Sequence, residues 1–425
     1  VSTHGGPFSW VLGAFYNRVK GSTSYREFIP GFGASPTGQD FGVVPNADDN
    51  EYASFGRSTT EEKAVFGEAS FKITPNWQVT GGLRYYNYNL NRIGGSILPY
   101  FDGPVASDED IPSSSGVSKS SGVVWKANTS YKFGDALAYF TYSTGYRIGG
   151  ANTGAAPCVL PLDTDQQNIC ALPNELFFGP DKTRNIELGL RAGFFGNRLT
   201  TNLSVFQIDW DGIQLAGTTL NGAIGITVNG GRARNRGFDF SFNARVTDRF
   251  SLRGNYSYLD AKLTEDVPEL LQVNNAALGF PYPNADPTLP PDKFFRLPAF
   301  AGDRLPGSAT PSGALSATST LPTGDNETIF NWTLTYTGDI LTRIGGRAFG
   351  EKLPGYVMNR ASITYKTPVY EISVFANNIF DKYAVTGVSN DLSRFGFVNS
   401  GVISRFYARS VARPRVVGIE GRVNF

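Results

Sequence analysis

The segment RARNRGFDFSFNARVTDRFSLRGNYSYLDAK, residues 232–262, contains two runs in which polarity alternates, with a short polar break between them. One side of the second run carries only apolar or small residues: Phe250, Leu252, Gly254, Tyr256 and Tyr258. The residues between them are Ser251, Arg253, Asn255 and Ser257. An alternation with a period of two predicts β-strands, and the short break predicts that the two strands are antiparallel neighbours.

Runs of this kind recur along the whole chain and predict about fourteen strands. Each has a length that suits a tilted, membrane-crossing strand of roughly 9–11 residues. They lie at 8–19, 64–74, 77–89, 122–133, 136–147, 183–194, 198–210, 232–246, 250–262, 312–321, 328–338, 356–366, 370–380 and within 414–425. In 198–210 the alternation slips midway, so this run has no assigned faces and a β-bulge is one explanation.

The connections between these strands alternate in length. Short turns are predicted at Pro75–Asn76, Gly134–Asp135, Phe195–Asn197, Thr247–Arg249, Pro322–Glu327 and Thr367–Val369. Long polar connections are predicted at 20–63, 90–121, 148–182, 211–231, 263–311, 339–355 and 381–413. Connections in compact soluble domains are usually about 4–6 residues long, whereas outer-membrane barrels have short periplasmic turns and long extracellular loops. The alternation of short and long connections predicts an all-β, antiparallel transmembrane β-barrel whose C-terminus is periplasmic.

Composition narrows the class of protein further. Aromatic residues make up 13% of the chain and apolar residues 40%, below the usual share of about 45–50%. A barrel needs one apolar face and an aromatic band at each membrane interface, which fits this balance. The net charge is +1 without a basic run, so a nucleic-acid partner is not expected, and no apolar stretch is long enough for a membrane helix. The chain starts at Val1 without a signal-peptide pattern, so we expect a processed product or, preferably, a fragment of a longer protein.

The two cysteines, Cys158 and Cys170, lie in a polar, proline-containing segment. One histidine in the whole chain leaves too few soft ligands for a zinc site. A local disulfide is favoured over two free thiols, and it implies an oxidising compartment.

Six segments together resemble one family, the TonB-dependent outer-membrane receptors. They are WQVTGGLRYYNYN (77–89), ALAYFTYSTGYRIGGAN (136–152), GPDKTRNIELGLR (179–191), VNGGRARNRGFDFSFNARVTDRFSLRGNYSYLDAK (228–262), VFANNIFDKYA (374–384) and PRVVGIEGRVNF (414–425). The family has a 22-stranded barrel around a plug. The resemblance therefore implies that residues 1–425 are a partial barrel domain, the last fourteen strands, without the plug and the first strands.

The resemblance also implies a function, partners and a location. It implies active uptake of a scarce nutrient across the outer membrane of a Gram-negative bacterium, energised by the TonB–ExbB–ExbD complex through the plug and the segment before it. A ferric siderophore is the leading substrate; haem, cobalamin and oligosaccharides are alternatives. Further expected partners are outer-membrane lipid and the barrel-assembly machinery, which would read the terminal aromatic Phe425 on an alternating strand. We expect neither a cofactor nor catalysis, since no catalytic set can be built around His4.

The last long connection supplies candidate ligand-binding residues: Arg394, Arg405, Phe406, Tyr407 and Arg409. Arginine binds anionic groups through paired hydrogen bonds, and aromatic rings stack on catecholate or sugar rings. The same residues also fit upper strand extensions in which the arginines pair with acids, and on pattern alone this simpler interpretation is the stronger.

Three weaker features have two interpretations each. Tyr146, at a predicted strand end, is assigned to an outer aromatic band or, less strongly, to ligand contact. The acidic runs Asp48–Glu51 and Asp108–Asp110 suggest calcium, but solvated loop acids are favoured. The glycine-containing segments 230–232 and 343–347 suggest phosphate cradles, but without a following helix they are interpreted as loop ends.

Two other classes of protein remain open from the sequence. Fourteen strands could close alone into a passive, porin-like channel, which needs no plug. A soluble β-enzyme or lectin would also show alternating strands, because periodicity alone does not distinguish a lipid-facing side from a buried one.

Overall fold

The computed structural model describes most of the chain. The described residues are 2–3, 6–40, 49–160, 170–219, 224–274, 294–348, 350–389 and 408–423. Almost all regular structure within these ranges is β-strand.

Fourteen long strands, β1 to β14 in chain order, form the body of the protein. Their bounds are Phe8–Phe28 (β1), Asn50–Lys72 (β2), Trp77–Ile97 (β3), Ser113–Phe133 (β4), Ala136–Arg147 (β5), Asp181–Phe194 (β6), Leu199–Asp211 (β7), Arg232–Arg245 (β8), Phe250–Leu263 (β9), Thr310–Thr323 (β10), Asn326–Leu341 (β11), Tyr356–Lys366 (β12), Tyr370–Asn377 (β13) and Val416–Val423 (β14).

Shorter elements lie before β1 and in the long connections. The short strands are Ser2–Thr3, Gly150–Ala151, Ala156–Pro157, Cys170–Ala171, Phe177–Phe178, Gln214–Thr218, Gly225–Asn229, Val267–Asn274, Phe294–Ala299, Lys352–Leu353, Val385–Ser389 and Ala408–Val411. The helices are α1 (Pro36–Asp40), α2 (Pro99–Asp102) and the 3₁₀ turns Asp108–Asp110, Pro173–Glu175 and Ile344–Gly346. None of the helices in the described ranges has the length and hydropathy to cross a membrane.

The long strands form one antiparallel sheet in which each strand pairs with its neighbours in the sequence, from β1 to β14. Short turns are present at all six predicted places, and they all lie at one end of the sheet; the turn predicted at Pro322–Glu327 is only Gly324–Asp325, because the strands pair up to Thr323 and Asn326. We call this the short-turn end and the opposite edge the long-loop end. Within the described residues no pair joins β14 to β1, so the fourteen strands do not close on themselves there.

The register aligns apolar residues across the sheet into one continuous apolar face. One cross-strand row runs through Phe140, Leu188, Val205, Phe238 and Tyr258 on β5 to β9. The corresponding side chains of the final strands, such as Ile363, Val374 and Ile419, are also opposite one another. Leu188 is 60% exposed and Ile419 76%, so this face is not covered by another layer of the described protein. On β14, Val417, Ile419, Gly421 and Val423 lie together on this face.

Exposed aromatic side chains mark both limits of the apolar face. The short-turn end carries exposed Phe8, Phe71, Trp77, Tyr131, Phe133, Phe194 and Tyr370. The other limit carries Tyr16, Tyr85, Trp125 and Tyr258. Phe250 and Tyr258 are eight residues apart on β9, which is about 26 Å along a strand. An apolar band about 25 Å tall between aromatic girdles is the pattern of a membrane barrel.

The first four strands are longer than their polarity pattern predicts. Residues 20–28, 50–63, 90–97 and 113–121, predicted as parts of connections, belong to strands of 21 to 23 residues. Ser, Thr, Asn and charged residues occupy both faces of these extensions, so no alternation marks them. The backbone pairing between these strands continues through the extensions although their polarity does not alternate.

The irregular run in β7 has a different cause from the suggested bulge. Its pairing with β6 and β8 is unbroken. Phe206, Ile208 and Trp210 lie on the polar face of the sheet, where the long connections cover its upper part, and Trp210 packs against buried residues of those connections. The slip therefore reflects apolar packing on both faces at the long-loop end.

Adjacent residues of β9 test the assignment of the two faces. We expect Tyr256→Arg, in the middle of the apolar face, to destabilise the protein in a lipid bilayer by about 2–4 kcal/mol, because it places a charge in hydrocarbon. Asn255→Arg, on the polar face, should change stability by no more than about 0.5 kcal/mol. Urea unfolding in lipid vesicles measures both, and equal effects would contradict the assignment.

Candidate functional site

The long connections pack into a structured layer at the long-loop end. A loop cluster of buried apolar residues joins the tops of β8 and β9 to the connections after β7, β9 and β11. Its members are Ile213, Ala233, Ala261, Leu263, Leu270, Leu271, Ala299, Leu305, Ile344 and Ala348. These connections therefore have their own core and hold any side chains they carry in fixed positions.

An ion pair between two connections lies beside the loop cluster. Nε of Arg347 donates to Oδ2 of Asp303 at 2.6 Å, and Nη2 donates to Oδ1 at 3.1 Å. The guanidinium also lies over the ring of Phe300, 4.6 Å from its centroid. The forked geometry fixes the two connections relative to each other. Although burial opposes its ionisation, hydrogen bonds from Arg347 and from the N–H of Phe300 lower the pKa of Asp303.

Gly345 allows this pair to form. It has a φ of +60°, and a Cβ at this position would come within 2.6 Å of Cγ of Asp303. Its N–H donates to the carbonyl of Arg304 at 2.9 Å. The segment 343–347 therefore acts as a loop end that contacts the neighbouring connection, in agreement with the simpler interpretation of its glycines.

A second ion pair joins β5 and β6 to the connection after β7. The carboxylate of Asp181 is fully buried and accepts hydrogen bonds from the guanidinium of Arg147 and, at 3.1 Å, from the N–H of Gln214. Arg147 also lies over the ring of Trp210, 4.9 Å from its centroid. These hydrogen bonds to one buried carboxylate order the segments that supply the donors.

The connection after β5 folds onto the polar face of β3 and β4. Oγ of Ser96 donates to the carbonyl of Gly154 at 2.5 Å, and Oγ of Ser114 donates to that of Ala155 at 3.3 Å. Gly116 makes room for this approach, because a Cβ there would meet that of Ala151 at 2.2 Å. The polar face is therefore covered at this end by the chain itself.

A tyrosine cluster lies on the polar face just below this covering segment. Tyr146 and Tyr86 stack with their ring centroids 3.5 Å apart. The hydroxyl of Tyr146 donates to Oε1 of Glu62 at 2.9 Å, and Nη2 of Arg84 donates to the same oxygen at 2.7 Å. The assignment of Tyr146 to an outward aromatic band is therefore wrong. Alternation from Phe140 would place this side chain on the apolar face, but aromatic stacking and a carboxylate hold it on the polar face, so the alternation does not extend to the end of β5.

The acidic run at Asp108–Asp110 is used by neighbouring arginines and by the backbone. Oδ1 of Asp108 accepts from Oγ of Ser24 and from Nη2 of Arg26, both at 2.9 Å, and these hydrogen bonds lower the pKa of Asp108. Oδ2 of Asp110 accepts from the N–H of Ser107 at 2.8 Å. Across the described ranges there is no group of three or more His, Cys, Asp or Glu residues that could hold a metal ion.

Cys158 and Cys170 form a disulfide with Cα atoms 4.7 Å apart. The bond closes the segment between them, residues 159–169, of which 161–169 lie outside the described residues. It fixes the base of this segment within the connection after β5.

Comparison with known proteins identifies the family. A family model for the β-barrel of TonB-dependent receptor-like proteins matches residues 2–379. The chain belongs to the TonB-dependent receptor family. An Acinetobacter baumannii protein, the probable TonB-dependent siderophore receptor PiuA, is 22% identical over 213 residues, which cover 49% of this chain and 25% of PiuA. The metal-pseudopaline receptor CntO of Pseudomonas aeruginosa is 30% identical over 89 residues, or 21% of this chain and 12% of CntO.

Solved structures show the same fold. The ferric yersiniabactin uptake receptor FyuA from Yersinia pestis superimposes with a TM-score of 0.68 at 16% identity, covering 100% of this chain and 52% of FyuA. The siderophore receptor PiuA gives a TM-score of 0.60 at 15% identity, with 99% of this chain and 54% of PiuA covered. The chain thus spans about half the length of these solved receptors.

In this TonB-dependent receptor chain, most of the predicted ligand residues fall outside the described part. Arg394, Arg405, Phe406 and Tyr407 lie there, and so do His4, Asp48 and Phe425. Arg409 is exposed on the short strand Ala408–Val411, which pairs with Val385–Ser389. This hairpin is structured where a plain connection was expected. Sequence reasoning missed Asp181, Asp303 and Arg347, because their partners are distant in the sequence and no local pattern marks them.

Titration of Asp303 provides one test of the loop layer. The pKa of a free aspartate is about 3.9 and that of folded Asp303 is lower, so the pair stabilises the layer fully above about pH 4. This contribution is lost as the pH falls through the lowered pKa. We expect distances between spin labels at Ala301 and Lys352 to broaden only at strongly acid pH. In Asp303→Asn they should be broad at every pH.

Asp325→Asn, in an exposed short turn at the other end, serves as the control and should leave the distances unchanged. Distances in Asp303→Asn that are as narrow at neutral pH as in the unsubstituted protein would contradict this role of Asp303.

Removal of the buried charge at Asp181 tests the second junction. We expect Asp181→Asn to destabilise the connection after β7 locally by about 2–3 kcal/mol, because the hydrogen bonds that its carboxylate accepts from Arg147 and Gln214 weaken. Hydrogen exchange of the Gln214 amide should accelerate accordingly. Asp211→Asn removes only an exposed pair with Arg184 and should cost no more than about 0.5 kcal/mol, so equal acceleration in both variants would contradict the prediction.

Proposed function

We propose that this chain forms part of the wall of an outer-membrane receptor that takes up a metal–siderophore complex, most often a ferric one. The observation that carries the proposal is that this chain, a member of the family, forms a sheet with two different faces. One face is apolar and uncovered, and the other is polar and covered by ordered connections at the long-loop end. Relatives named as siderophore and metal receptors support this class of substrate. Uptake of haem, cobalamin or an oligosaccharide is the alternative within the family.

In the proposed receptor, the apolar face contacts lipid and the polar face lines the lumen. The long-loop end is extracellular, the short-turn end and the C-terminus are periplasmic, and residues 1–425 belong to one partial barrel domain. The ordered layer at the long-loop end is where a ligand from outside would first meet the protein. The described strands β1 and β14 are not paired with each other, so a closed fourteen-stranded passive channel has no support from the described pairing.

Arg394, Arg405, Phe406, Tyr407 and Arg409 stay our candidate ligand contacts. Of these, the exposed position of Arg409 on a hairpin at the long-loop end supports the assignment. A guanidinium there has the chemistry to bind carboxylate or catecholate oxygens of an anionic metal complex. We assign no catalytic role to any of these residues.

The proposed partners follow from the same function. Import of a large complex against a gradient needs energy, which the TonB–ExbB–ExbD complex would supply from the inner membrane. The barrel-assembly machinery would insert the strands and read the terminal Phe425, and outer-membrane lipid would cover the apolar face.

Uptake of radioactive iron by cells that carry the full gene tests the proposal. We expect accumulation of at least one iron-loaded siderophore, and its loss when TonB is deleted. We expect Arg405→Ala/Arg409→Ala to weaken binding of that siderophore about tenfold or more, because two charge-assisted contacts are lost.

Arg249→Ala, an exposed arginine in a short turn at the opposite end, is the matched control and should bind normally. Uptake that persists without TonB, or that follows only the size of unrelated solutes, would favour a passive channel instead. Binding of haem, cobalamin or an oligosaccharide, but no siderophore, would replace the proposed substrate.

A further inference from the structure

A band of charged side chains lies directly beyond the apolar face on β6 to β9. Because side chains alternate, residues two positions along a strand share a face. The band continues the positions of Leu188, Val205, Phe238 and Tyr258 toward the long-loop end. Its cations are Lys182, Arg184, Arg232, Arg234, Arg236 and Lys262.

The register places these cations in rows across the strands. Arg236 lies between Gln207 and Asp260, one step beyond the row of Phe238 and Tyr258. Arg184, Asp209, Arg234 and Lys262 form the next row. Since a step of two residues is about 6.6 Å, the first guanidinium begins close to the edge of the apolar face.

The band has an excess of positive charge. Four pairs use its carboxylates: Arg184–Asp211 at 3.0 Å, Arg234–Asp209 at 2.5 Å, Lys262–Asp260 at 2.9 Å and Arg232–Glu265 at 2.7 Å. Six cations against these four acids leave a net charge of +2. Within the described part of the chain, Lys182 has no carboxylate partner, and Arg236 only donates from Nε to Gln207 at 2.8 Å.

The paired cations are also available to an outside anion. The Arg184–Asp211 and Lys262–Asp260 pairs are solvent-exposed, whereas Arg234–Asp209 is only partly exposed, and exposed ion pairs contribute little to stability. A phosphate that approached the band could therefore share or replace these partners. Counted in residues from the short-turn end, outward positions of β10 to β12 at a similar distance are uncharged, for example Pro311, Gly338 and Val357.

We infer that this cationic band binds the phosphate headgroup of an anionic lipid in the outer leaflet, while the lipid's acyl chains cover the adjacent apolar face. Two observations combine here: exposed apolar residues such as Leu188 and Tyr258, and two cations without a carboxylate partner, Arg236 in the first row beyond them and Lys182 in the third. A small soluble anion would contact only the cations and would leave the apolar residues uncovered. Arginine forms paired hydrogen bonds with phosphate, and each cation near an anionic lipid surface contributes about 1 kcal/mol.

This inference rests on the orientation proposed above and not on the proposed substrate. Binding of lipid can be measured on the protein purified from outer membranes in neutral detergent. The probe is bis-phosphorylated lipid A; the same lipid with its phosphates removed and inorganic phosphate are the two comparison ligands. Native mass spectrometry counts the lipids that stay bound.

We expect the phosphorylated lipid to bind at least about tenfold more tightly than the dephosphorylated one. The double variant Lys182→Gln/Arg236→Gln should weaken its binding about tenfold to thirtyfold. A charge-matched control, Arg253→Gln/Arg360→Gln, removes two exposed cations from the polar face of β9 and β12 and should stay within about twofold of the unsubstituted protein.

Three results would overturn the inference. They are equal binding of the two lipids, unchanged binding by the double variant, and displacement of the lipid by equimolar inorganic phosphate. If the double variant does not fold, the salt dependence of binding to the unsubstituted protein decides: we expect it to weaken steeply with added salt, and salt-independent binding would count against the band. Loss of siderophore uptake with intact lipid binding would reject the proposed substrate alone.

Discussion

The backbone ladder between neighbouring strands is the constraint on which the rest of the structure depends. Its register is continuous from β1 to β14, so a polarity pattern in any one strand is carried to the next. In hydrocarbon an unpaired N–H or C=O costs several kcal/mol, which makes such a ladder a requirement for a lipid-facing sheet. The pairing register therefore aligns like residues across the strands, and this alignment forms the apolar face, the aromatic residues at its limits and the polar face.

Beyond the apolar face, at the long-loop end, the same backbone pairing supports a layer of ordered connections. The extended strands β1 to β4 and the connections beyond β5 form a layer with its own apolar core and its own buried or forked ion pairs, such as Asp181–Arg147 and Asp303–Arg347. Asp303–Arg347 joins two separate connections, and Asp181–Arg147 joins two strand ends to the connection after β7. Fixed geometry at this end is what a receptor needs to bind a ligand selectively before transport.

The sequence predicted the sheet well and the layer poorly, for a physical reason. In strands that face lipid on one side, apolar and polar residues must alternate, so the strands around Tyr256 and Ile419 can be recognised from the sequence. Once both faces are polar, as in residues 50–63, the ladder persists but the alternation disappears. Tyr146 shows the limit in another way: its position near a strand end suggested an outward band, whereas stacking on Tyr86 and a hydrogen bond to Glu62 hold it on the polar face.

The most direct test of the two-faced sheet is a scan of spin labels along β9, one at a time from Phe250 to Leu263, in lipid vesicles. Collision rates with oxygen, which concentrates in lipid, and with a water-soluble nickel complex report the surroundings of each label. The account predicts a period of two from Phe250 to Tyr258, with oxygen favoured at even positions, and loss of the oxygen maximum from Asp260 onward. Collision rates without this period, or a lipid signal at odd positions, would contradict it.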